Sequence, residues 1–563
     1  MITCARRTLL GLLSAGLLAA GIGTPAASAY PFALSVTRWT VTRPLPDDFL
    51  GLALEYGTVP AWEPPHGPPN RILPALLRGL TPVGRPSIRI GGQSTDRSWW
   101  PVRGHPQPRG VTQSLGPRWM RSARALLRVT DARLMLGINL EAGSARLARA
   151  EADALVAGLG AGNIRALEVG NEPNLYRAIP WYRVQGGRRL GWYAHAGAPV
   201  WSRPASWGPR GFLAQFSRIA AGLPRLPLAG PETVPGPWLA AFAGLLGRGS
   251  RVRMLSTHAY GLNQCVTDPA APQYPSVAHL LGLGASRGMY AGLASAVAAA
   301  QRHGDGLRID EMGSVTCNGR RGVSDTFAAA LWVMDALFEG DRLGVGGVNL
   351  HTYPGSSNGL FDFAYDRATR SWRGVVHPLY DGALMFARAA PPGSRLLRVL
   401  SPPQTRLRAW ATRGADGRLR LLLINDSTDR TAQVRVRLPR GYRGTAASIE
   451  RLRAPGAAAT TGITIGGRHF GATRTGTPPP PRLRALDPRG AVSTLSVPAA
   501  SAALLTIAPA LDCLERWLAL PDPDLGYSCQ SVSSIQAIWA RSCFPTVSTW
   551  WPACSERIRR KFS

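Results

Sequence analysis

Lysine is almost absent from this chain. Of its 563 residues only Lys561 is a lysine, and 33 Asp+Glu stand against 65 Lys+Arg, so arginine carries nearly all of a net charge of +32. The 45% hydrophobic fraction is ordinary for a globular protein and excludes a wholly disordered chain. The arginine excess accompanies abundant Ala, Gly and Pro, which indicates a solvated surface set by compositional bias. The alternative is attraction to an acidic partner such as a polyanion, nucleic acid or anionic lipid.

Long apolar runs are also missing after the N-terminal segment. No later stretch offers 18 uninterrupted apolar residues, so we expect no membrane span once that segment is removed. Residues 1–29 have the pattern of a signal peptide: Arg6 and Arg7, an apolar run at 9–20 and Ala-Ser-Ala at 27–29. The paired arginines loosely fit a twin-arginine signal. The sequence therefore predicts a secreted protein without a nucleic-acid partner.

Cysteine is scarce, with seven in the chain. Cys4 lies in the predicted signal peptide, and the even number that remains indicates disulfides in an oxidising compartment. Cys265 and Cys317 stand apart from the others, and we expect them to pair. The other four lie in the C-terminal tail, where their pairing stays open: Cys513, Cys529, Cys543 and Cys554. Their spacings lack the close C-x₂-C pairs of structural zinc sites.

Short apolar runs alternate with helical windows over residues 49–387. The candidate strands are 87–90, 133–140, 166–169, 254–258, 307–310 and 346–350, and the candidate helices are 145–158, 211–222, 290–302 and 325–338. This alternation predicts an α/β fold with a parallel sheet. Polar residues follow several of the strands, as the active face of a (β/α)₈ TIM barrel requires: Glu172, His258, Glu311 and His351.

The composition changes after the predicted barrel. Residues 388–508 are rich in Val, Leu, Thr and Gly in alternating runs, which predicts an all-β sandwich domain. We expect residues 30–48 to join this sandwich. Residues 509–563 form a tail with cysteines and tryptophans, to which the sequence assigns no role.

Two glutamates follow predicted strands in a pattern that suits glycosidic-bond hydrolysis. Glu172 stands in an Asn-Glu-Pro triplet after the strand at 166–169, and Glu311 follows Asp310 after the strand at 307–310. Two carboxyls at one barrel mouth can serve as acid/base and nucleophile. A lone glutamate after a strand is more often a helix N-terminal charge or a solvated loop residue. The triplet together with the second glutamate favours the catalytic interpretation.

These residues resemble the retaining clan of barrel glycosidases in which strands four and seven carry the two glutamates. Within that clan, finer motifs resemble glycoside hydrolase family 79, the β-glucuronidases and heparanases. The motifs are Arg89-Ile90-Gly91-Gly92, Ser256-Thr257-His258-Ala259-Tyr260, Ser324-Asp325-Thr326-Phe327-Ala328-Ala329 and Pro378-Leu379-Tyr380. The resemblance covers about residues 30–507 and implies a (β/α)₈ TIM barrel with a C-terminal all-β sandwich domain.

The resemblance also implies roles for individual residues. Glu172 is expected to be the general acid/base, Glu311 the nucleophile that forms a covalent glycosyl-enzyme intermediate, and Asn171 a donor to the sugar 2-OH. Tyr260 is expected to hold the nucleophile, with a packed aromatic as the alternative, and Glu55 to contact distal sugar hydroxyls. Gly92 and Gln93 are expected to border the pocket, and Tyr380 to face the sugar carboxylate. Arg89 and His258 are expected to support the carboxylates, and a Cys265–Cys317 disulfide to join two loops.

One segment departs from the family pattern. Family members carry a tyrosine and then glycines after the nucleophile, whose backbone N–H groups hold the uronate carboxylate. Here those positions hold Thr316 and Asn318. Both side chains can still donate hydrogen bonds, so we expect a β-glucuronosyl group in a pocket of different shape, with a neutral sugar as the alternative.

A segment rich in aromatic residues and arginine follows the acid/base candidate at 176–207. Aromatic rings there can stack on sugar rings, and arginines can meet carboxylates or sulfates. The alternative is an insertion that packs on itself and leaves its arginines solvated.

The sequence predicts a secreted retaining β-glucuronidase that acts on a uronic-acid-containing glycan or a glucuronide. The alternatives are a related glycosidase on another sugar, a catalytically silent glycan-binding barrel, and a polyanion-binding surface protein. We expect no cofactor and no metal, because the Gly-Gly pairs lack phosphate-loop spacing and the histidines lack a metal-ligand pattern.

Overall fold

The computed structural model describes residues 29–247, 249–303, 305–402, 406–486 and 494–510. The predicted signal peptide before this range, and the tail with its four cysteines after it, lie outside the described residues. Among the helices in these ranges, none has the length and apolar character to cross a membrane.

Eight parallel strands close into a barrel, in which the eighth strand pairs with the first. In chain order they are Leu50–Glu55, Ser87–Gly91, Arg133–Ile138, Ile164–Val169, Leu228–Thr233, Val252–Leu262, Leu307–Val315 and Gly347–His351. These strands are buried along nearly their whole length because interior side chains cover one face and helices cover the other. All six strands expected from the sequence are present, and the predicted TIM barrel is confirmed.

Helices surround the barrel and connect its strands. Those in the described residues are Thr58–Trp62, Ile72–Leu80, Pro117–Thr130, Ala145–Leu159, Pro209–Gly222, Pro237–Ala243, Val277–Leu280, Leu283–Ser286, Ala294–His303, Phe327–Leu343 and Pro378–Ala389. The Ser144 hydroxyl caps the helix that follows it by accepting from the Leu147 N–H at 3.3 Å. The four helices expected from the sequence are present, with ends that differ by at most five residues.

The C-terminal β domain is a ten-stranded sheet built around the predicted sandwich region. Its strands are Ala29–Thr40, Arg395–Leu400, Leu407–Arg413, Leu419–Asn425, Thr431–Arg437, Ala447–Arg453, Thr464–Ile465, Arg484–Leu486, Leu495–Val497 and Ser501–Ile507. The N-terminal strand lies between Arg395–Leu400 and Thr431–Arg437. Side chains from distant strands share one apolar core, so the sheet folds over on itself.

Three smaller sheets complete the structure. Phe361–Asp366, Ser371–Val376 and Ala472–Thr473 form one, and Ser98–Trp99 pairs with Gln113–Ser114 in another. The third follows the fourth barrel strand and consists of Tyr182–Gln185, Arg188–Leu190 and Ala198–Val200.

The β domain packs on the barrel through the helix Phe327–Leu343. The N–H groups of Phe327 and Ala328, which have no partner inside the helix, donate to the carbonyls of Ala459 and Ala457 at 2.8 Å each. Further along, the rings of Phe338 and Trp410 stack with centroids 5.2 Å apart. The β domain thus caps and covers a helix of the barrel.

Candidate active site

The acid/base candidate projects from a tight turn at the end of the fourth barrel strand. Gly170 (φ +89°) and Glu172 (φ +47°) both adopt a left-handed backbone. A Cβ at Gly170 would press against the Tyr176 hydroxyl, so glycine is required there. The Glu172 N–H donates to the Glu232 carbonyl at 2.8 Å, while the Glu172 side chain keeps 19% exposure. A fixed backbone therefore presents this carboxylate to the barrel mouth.

The nucleophile candidate, Glu311, lies on the seventh barrel strand and is almost fully buried. It accepts from Tyr260 Oη at 2.6 Å and from Arg89 Nη1 at 2.8 Å, and His351 Nδ1 lies 3.4 Å away. Burial alone would raise the pKa of Glu311, but three nearby cationic groups, His351, His258 and Arg89, lower it to about 2. The carboxylate is therefore ionised at physiological pH.

His258 lies between the two glutamates. Its Nδ1 is 3.1 Å from Glu172 Oε1 and 3.9 Å from Glu311 Oε1, and its Nε2 is 3.5 Å from Asp310 Oδ2. Burial opposes the charge on the imidazole, but the surrounding carboxylates raise the pKa of His258 well above its usual value. A charged imidazole thus links the two catalytic candidates.

Arg89, on the second barrel strand, is the centre of the hydrogen-bond network beneath the site. Its Nε contacts Glu168 at 2.8 Å and Asp310 at 3.0 Å, and its Nη2 contacts Glu232 at 3.0 Å. The same Nη2 donates to Asn171 Oδ1 at 2.9 Å. Because this fixes the Asn171 oxygen as an acceptor, its amide NH₂ is the group left to donate to a substrate hydroxyl.

Three buried acids in this network are site residues that the sequence interpretation did not single out: Glu168, Glu232 and Asp310. Burial and its acidic neighbours raise the pKa of Glu232 well above the usual range, and burial raises that of Glu168 to about 7. For Asp310, burial is outweighed by Arg89 and His258, which lower its pKa. Glu232 therefore holds a proton and hydrogen-bonds to ionised Asp310.

Ligand atoms of Glu232, His258 and Asp310 lie within 4.8 Å of one another, close enough to hold a metal ion. The guanidinium of Arg89 lies 3.0 Å from both carboxylates. It supplies the positive charge that a metal ion would otherwise bring, so the donor set does not fit a metal site.

The first barrel strand places Glu55 beside the turn after the second strand. Glu55 accepts from the backbone N–H groups of Gln93 (3.2 Å) and Ser94 (2.8 Å), and His351 Nε2 is 3.3 Å away. Gly92 has φ +65°, and a Cβ there would collide with the Glu55 carboxylate. The predicted residues Glu55, Gly92 and Gln93 are thus joined, through His351, to the nucleophile.

The two departures from the family pattern occupy different environments. The Thr316 hydroxyl donates to Asn263 Oδ1 at 3.1 Å and accepts from the Gln264 N–H at 3.0 Å, so it joins two loops. Asn318 is exposed, has φ +75°, and accepts a hydrogen bond from the Tyr353 hydroxyl. Asn318 therefore lies at the rim, whereas the Thr316 hydroxyl is used within the protein.

Two expectations are wrong in the structure. Tyr380 is fully buried outside the barrel mouth, packs against Phe361 and Phe470, and donates to the Leu76 carbonyl at 2.8 Å. Tyr380 lies in the first turn of the helix Pro378–Ala389, and its side chain points to the neighbouring helix Ile72–Leu80.

Cys265 and Cys317 are exposed free thiols and form no disulfide. Burial and the neighbouring Cys265 raise the pKa of the Cys317 thiol.

Comparisons with known proteins agree with this geometry. Residues 409–504 match the glycosyl hydrolase family 79 C-terminal beta domain. A beta-glucuronidase from Neurospora crassa is 23% identical over 443 residues, which are 70% of this chain and 74% of that protein. The structure of a 4-O-α-L-rhamnosyl-β-D-glucuronidase from Fusarium oxysporum 12S matches 85% of this chain and 100% of its own, at 20% identity and a TM-score of 0.61. A GH51 arabinofuranosidase from Xanthomonas axonopodis pv. citri covers 85% and 99%, at 15% identity and a TM-score of 0.56.

A parallel barrel with two glutamates at its mouth and a C-terminal β domain is the architecture of a glycoside hydrolase. In its β domain the chain matches glycoside hydrolase family 79, and over most of its length it is similar to two glucuronidases.

Proposed function

We propose that this protein is a retaining β-glucuronidase. The observation that carries the proposal is an ionised Glu311, held by Tyr260 and Arg89, that faces Glu172 across the His258 imidazole. His258 Nδ1 limits the separation of the two nearest carboxylate oxygens to about 7 Å, which permits the ~5–5.5 Å of a retaining pair.

The reaction follows from these positions. Glu172 protonates the glycosidic oxygen while Glu311 attacks the anomeric carbon, so the C–O bond to the leaving group breaks as the glycosyl-enzyme ester forms. Glu172, now a carboxylate, takes a proton from water, which attacks the same carbon and releases Glu311. The Asn171 amide donates to the 2-OH as positive charge develops on the sugar ring.

The loop after the nucleophile supports uronate binding. Cys317, Asn318 and Gly319 have positive φ in succession (53°, 75° and 79°), a backbone conformation in which neighbouring N–H groups can converge on a carboxylate. The Neurospora and Fusarium relatives bear glucuronidase names, in keeping with a uronate ligand.

Substrate preference tests the sugar assignment. We expect the highest kcat/KM on an aryl β-glucuronide, beside the matched β-glucoside, β-galactoside and β-xyloside. A preference for a neutral sugar would replace the uronate assignment with another sugar of the same clan.

Stereochemistry and labelling test the mechanism. NMR of the first product should show the β anomer, and a mechanism-based inactivator should label Glu311; an α anomer would indicate inversion. Glu311→Gln should lower kcat by about 10⁴-fold or more. No turnover and no labelling of a folded protein would instead favour a glycan-binding role.

We also propose that the chain is exported, on the basis of the N-terminal signal pattern. N-terminal sequencing of the protein from culture medium should begin near Tyr30. Recovery only inside cells with an intact N-terminus would contradict export.

A further inference from the structure

The chain between Glu172 and Glu232 contains no acidic residue. It carries eight arginines, at positions 177, 183, 188, 189, 203, 210, 218 and 225. Within the described residues, none of these eight forms an ion pair with a carboxylate. Several donate to neutral backbone carbonyls instead, as Arg183 does to Gly197 and Arg189 to Arg109. Apart from Arg203, which acts on nearby Glu141, their positive charge is therefore not balanced by an acid among the described residues.

Part of this segment forms the three-stranded sheet of residues 182–200, which we call the basic ribbon. The chain after the ribbon is anchored beside Glu172: Trp207 Nε1 donates to the Pro173 carbonyl at 2.8 Å, and the Trp207 ring stacks on Tyr176. The Trp181 N–H donates to the Val200 carbonyl at 2.8 Å, and the Trp181 ring lies against Gly110. The chain on either side of the ribbon therefore packs beside the turn that carries Glu172.

Strand pairing separates the two faces of the ribbon. Arg183 and Gln185 alternate with Tyr182 and Val184, and Gln185 pairs with Arg188. Tyr182 is buried, so its face points inward, and the opposite face bears Arg183 and Arg188. Buried Tyr182 on the inner face is consistent with an insertion that packs on itself, whereas the outer face is not packed in this way.

Two aromatic side chains of this segment are exposed to solvent. Tyr193 is 70% exposed and Trp201, directly after the third strand, is 44% exposed. Exposed aromatic rings can stack on the faces of sugar rings, and arginines without an acidic partner can bind carboxylates. Together they suit a ligand that contains both sugar rings and negative charges.

We propose that the basic ribbon is a second saccharide site, which binds the leaving-group portion of an acidic oligosaccharide. Arg183 and Arg188 pair with its carboxylates, and Tyr193 and Trp201 stack on its rings. The site rests on the proposed function for its place in the reaction, since the leaving group must emerge next to Glu172.

The test compares two substrates in matched variants. One substrate is an aryl β-glucuronide, and the other is a tetrasaccharide with a terminal β-glucuronate and further uronates on its leaving-group side. In Arg183→Ala/Arg188→Ala, we expect the ratio of kcat/KM, tetrasaccharide over aryl glucuronide, to fall at least tenfold. The control, Arg435→Ala/Arg437→Ala, removes two exposed arginines from one face of a strand in the β domain and should keep the wild-type ratio. An unchanged ratio in the ribbon variant overturns the proposal.

Binding to inactive protein separates this inference from the proposed function. Calorimetry with Glu311→Gln should show tenfold weaker tetrasaccharide binding when the two ribbon arginines are also replaced. If wild-type protein fails on the aryl glucuronide, the proposed function falls while this measurement still decides the ribbon. Equal affinity for a short DNA duplex, lost in 0.5 M NaCl, would reduce the ribbon to a general polyanion surface and overturn the saccharide site.

Discussion

At the residue scale, the ionisation of Glu311, the proposed nucleophile, depends on a balance between burial and charge. Glu311 is buried in a site where desolvation disfavours the anion, yet cationic groups and the Tyr260 hydroxyl keep it ionised. The anionic form of Glu311 is therefore stabilised, and the Tyr260 hydroxyl fixes the orientation of its carboxylate. The hydroxyl can be removed without changing the shape of the ring.

Tyr260→Phe tests that contribution. A hydrogen bond to a charged group contributes about 1.5–3 kcal/mol, so kcat/KM should fall by about 10- to 100-fold. The lost donor stabilised the ionised form, so the pKa of Glu311 should rise and the acid limb of the pH profile should move to higher pH. The matched control, Tyr365→Phe on a peripheral sheet, should leave both unchanged. A limb that moves to lower pH would contradict the argument.

The buried acids below the site make a second prediction. Glu232 is protonated, so Glu232→Gln replaces a neutral group with a neutral group and should keep the melting temperature within a few degrees at pH 7. Asp310 is ionised and lies against Arg89 and His258, so Asp310→Asn removes a negative charge that both buried cations face and should cost about 3–5 kcal/mol. Thermal unfolding compares the two; equal losses would show that Glu232 is charged.

The sequence allowed some of these residues to be predicted and not others. Glu172 and Glu311 stand out because each follows a strong strand pattern and one lies in a specific triplet. Glu232 occupies the equivalent place on the fifth strand, but Gly230 and Pro231 depress the strand signal there, so the pattern predicts no strand end beside it. The prediction for Tyr380 is wrong because a motif match does not fix which neighbour a helical residue faces.

At the element scale, the helix Phe327–Leu343 is buried on nearly all sides. It lies between the barrel and the β domain, and every residue from Phe327 to Asp341 is buried. The apolar run in its sequence predicts the helix. Its burial between the barrel and the β domain depends on the second domain, and no pattern within the helix sequence indicates it. The enclosure also traps an acid, since burial raises the pKa of Asp341 to about 7.

Asp341→Asn should therefore stabilise the protein in a pH-dependent way. The folded pKa lies above the unfolded value near 3.8, so between these values the folded state holds the extra proton and stability falls as pH rises. Above pH 7 the full cost is present, about 2–4 kcal/mol, and asparagine removes it. Melting temperatures of variant and wild type should differ at pH 8 and converge near pH 4.

Exposed Asp153 on another helix supplies the control, and Asp153→Asn should show no comparable gain at pH 8. If Asp341→Asn gave the same gain at both pH values, the effect would not come from the ionisation of Asp341.

At the scale of the whole molecule, the barrel and the β domain behave as one structure. The carbonyls of Ala457 and Ala459 satisfy the first N–H groups of a barrel helix, and Arg388 on the last barrel helix pairs with Glu450 of the β domain. The Fusarium structure matches 85% of this chain, which includes parts of both regions. The active face depends on this support only indirectly, through the helices behind its strands.

Trp410→Ala tests whether the two parts unfold together. The change removes the ring stacked on Phe338 and the indole N–H that donates to buried Asp335 at 2.8 Å, so the loss should be about 2–4 kcal/mol. Because hydrogen bonds across the interface join the barrel to the β domain, calorimetry should show a single unfolding transition at a lower temperature. Trp39→Ala, which removes a ring that is 62% exposed, should leave the transition in place. Two transitions, of which only one moves, would mean that the barrel folds without its β domain.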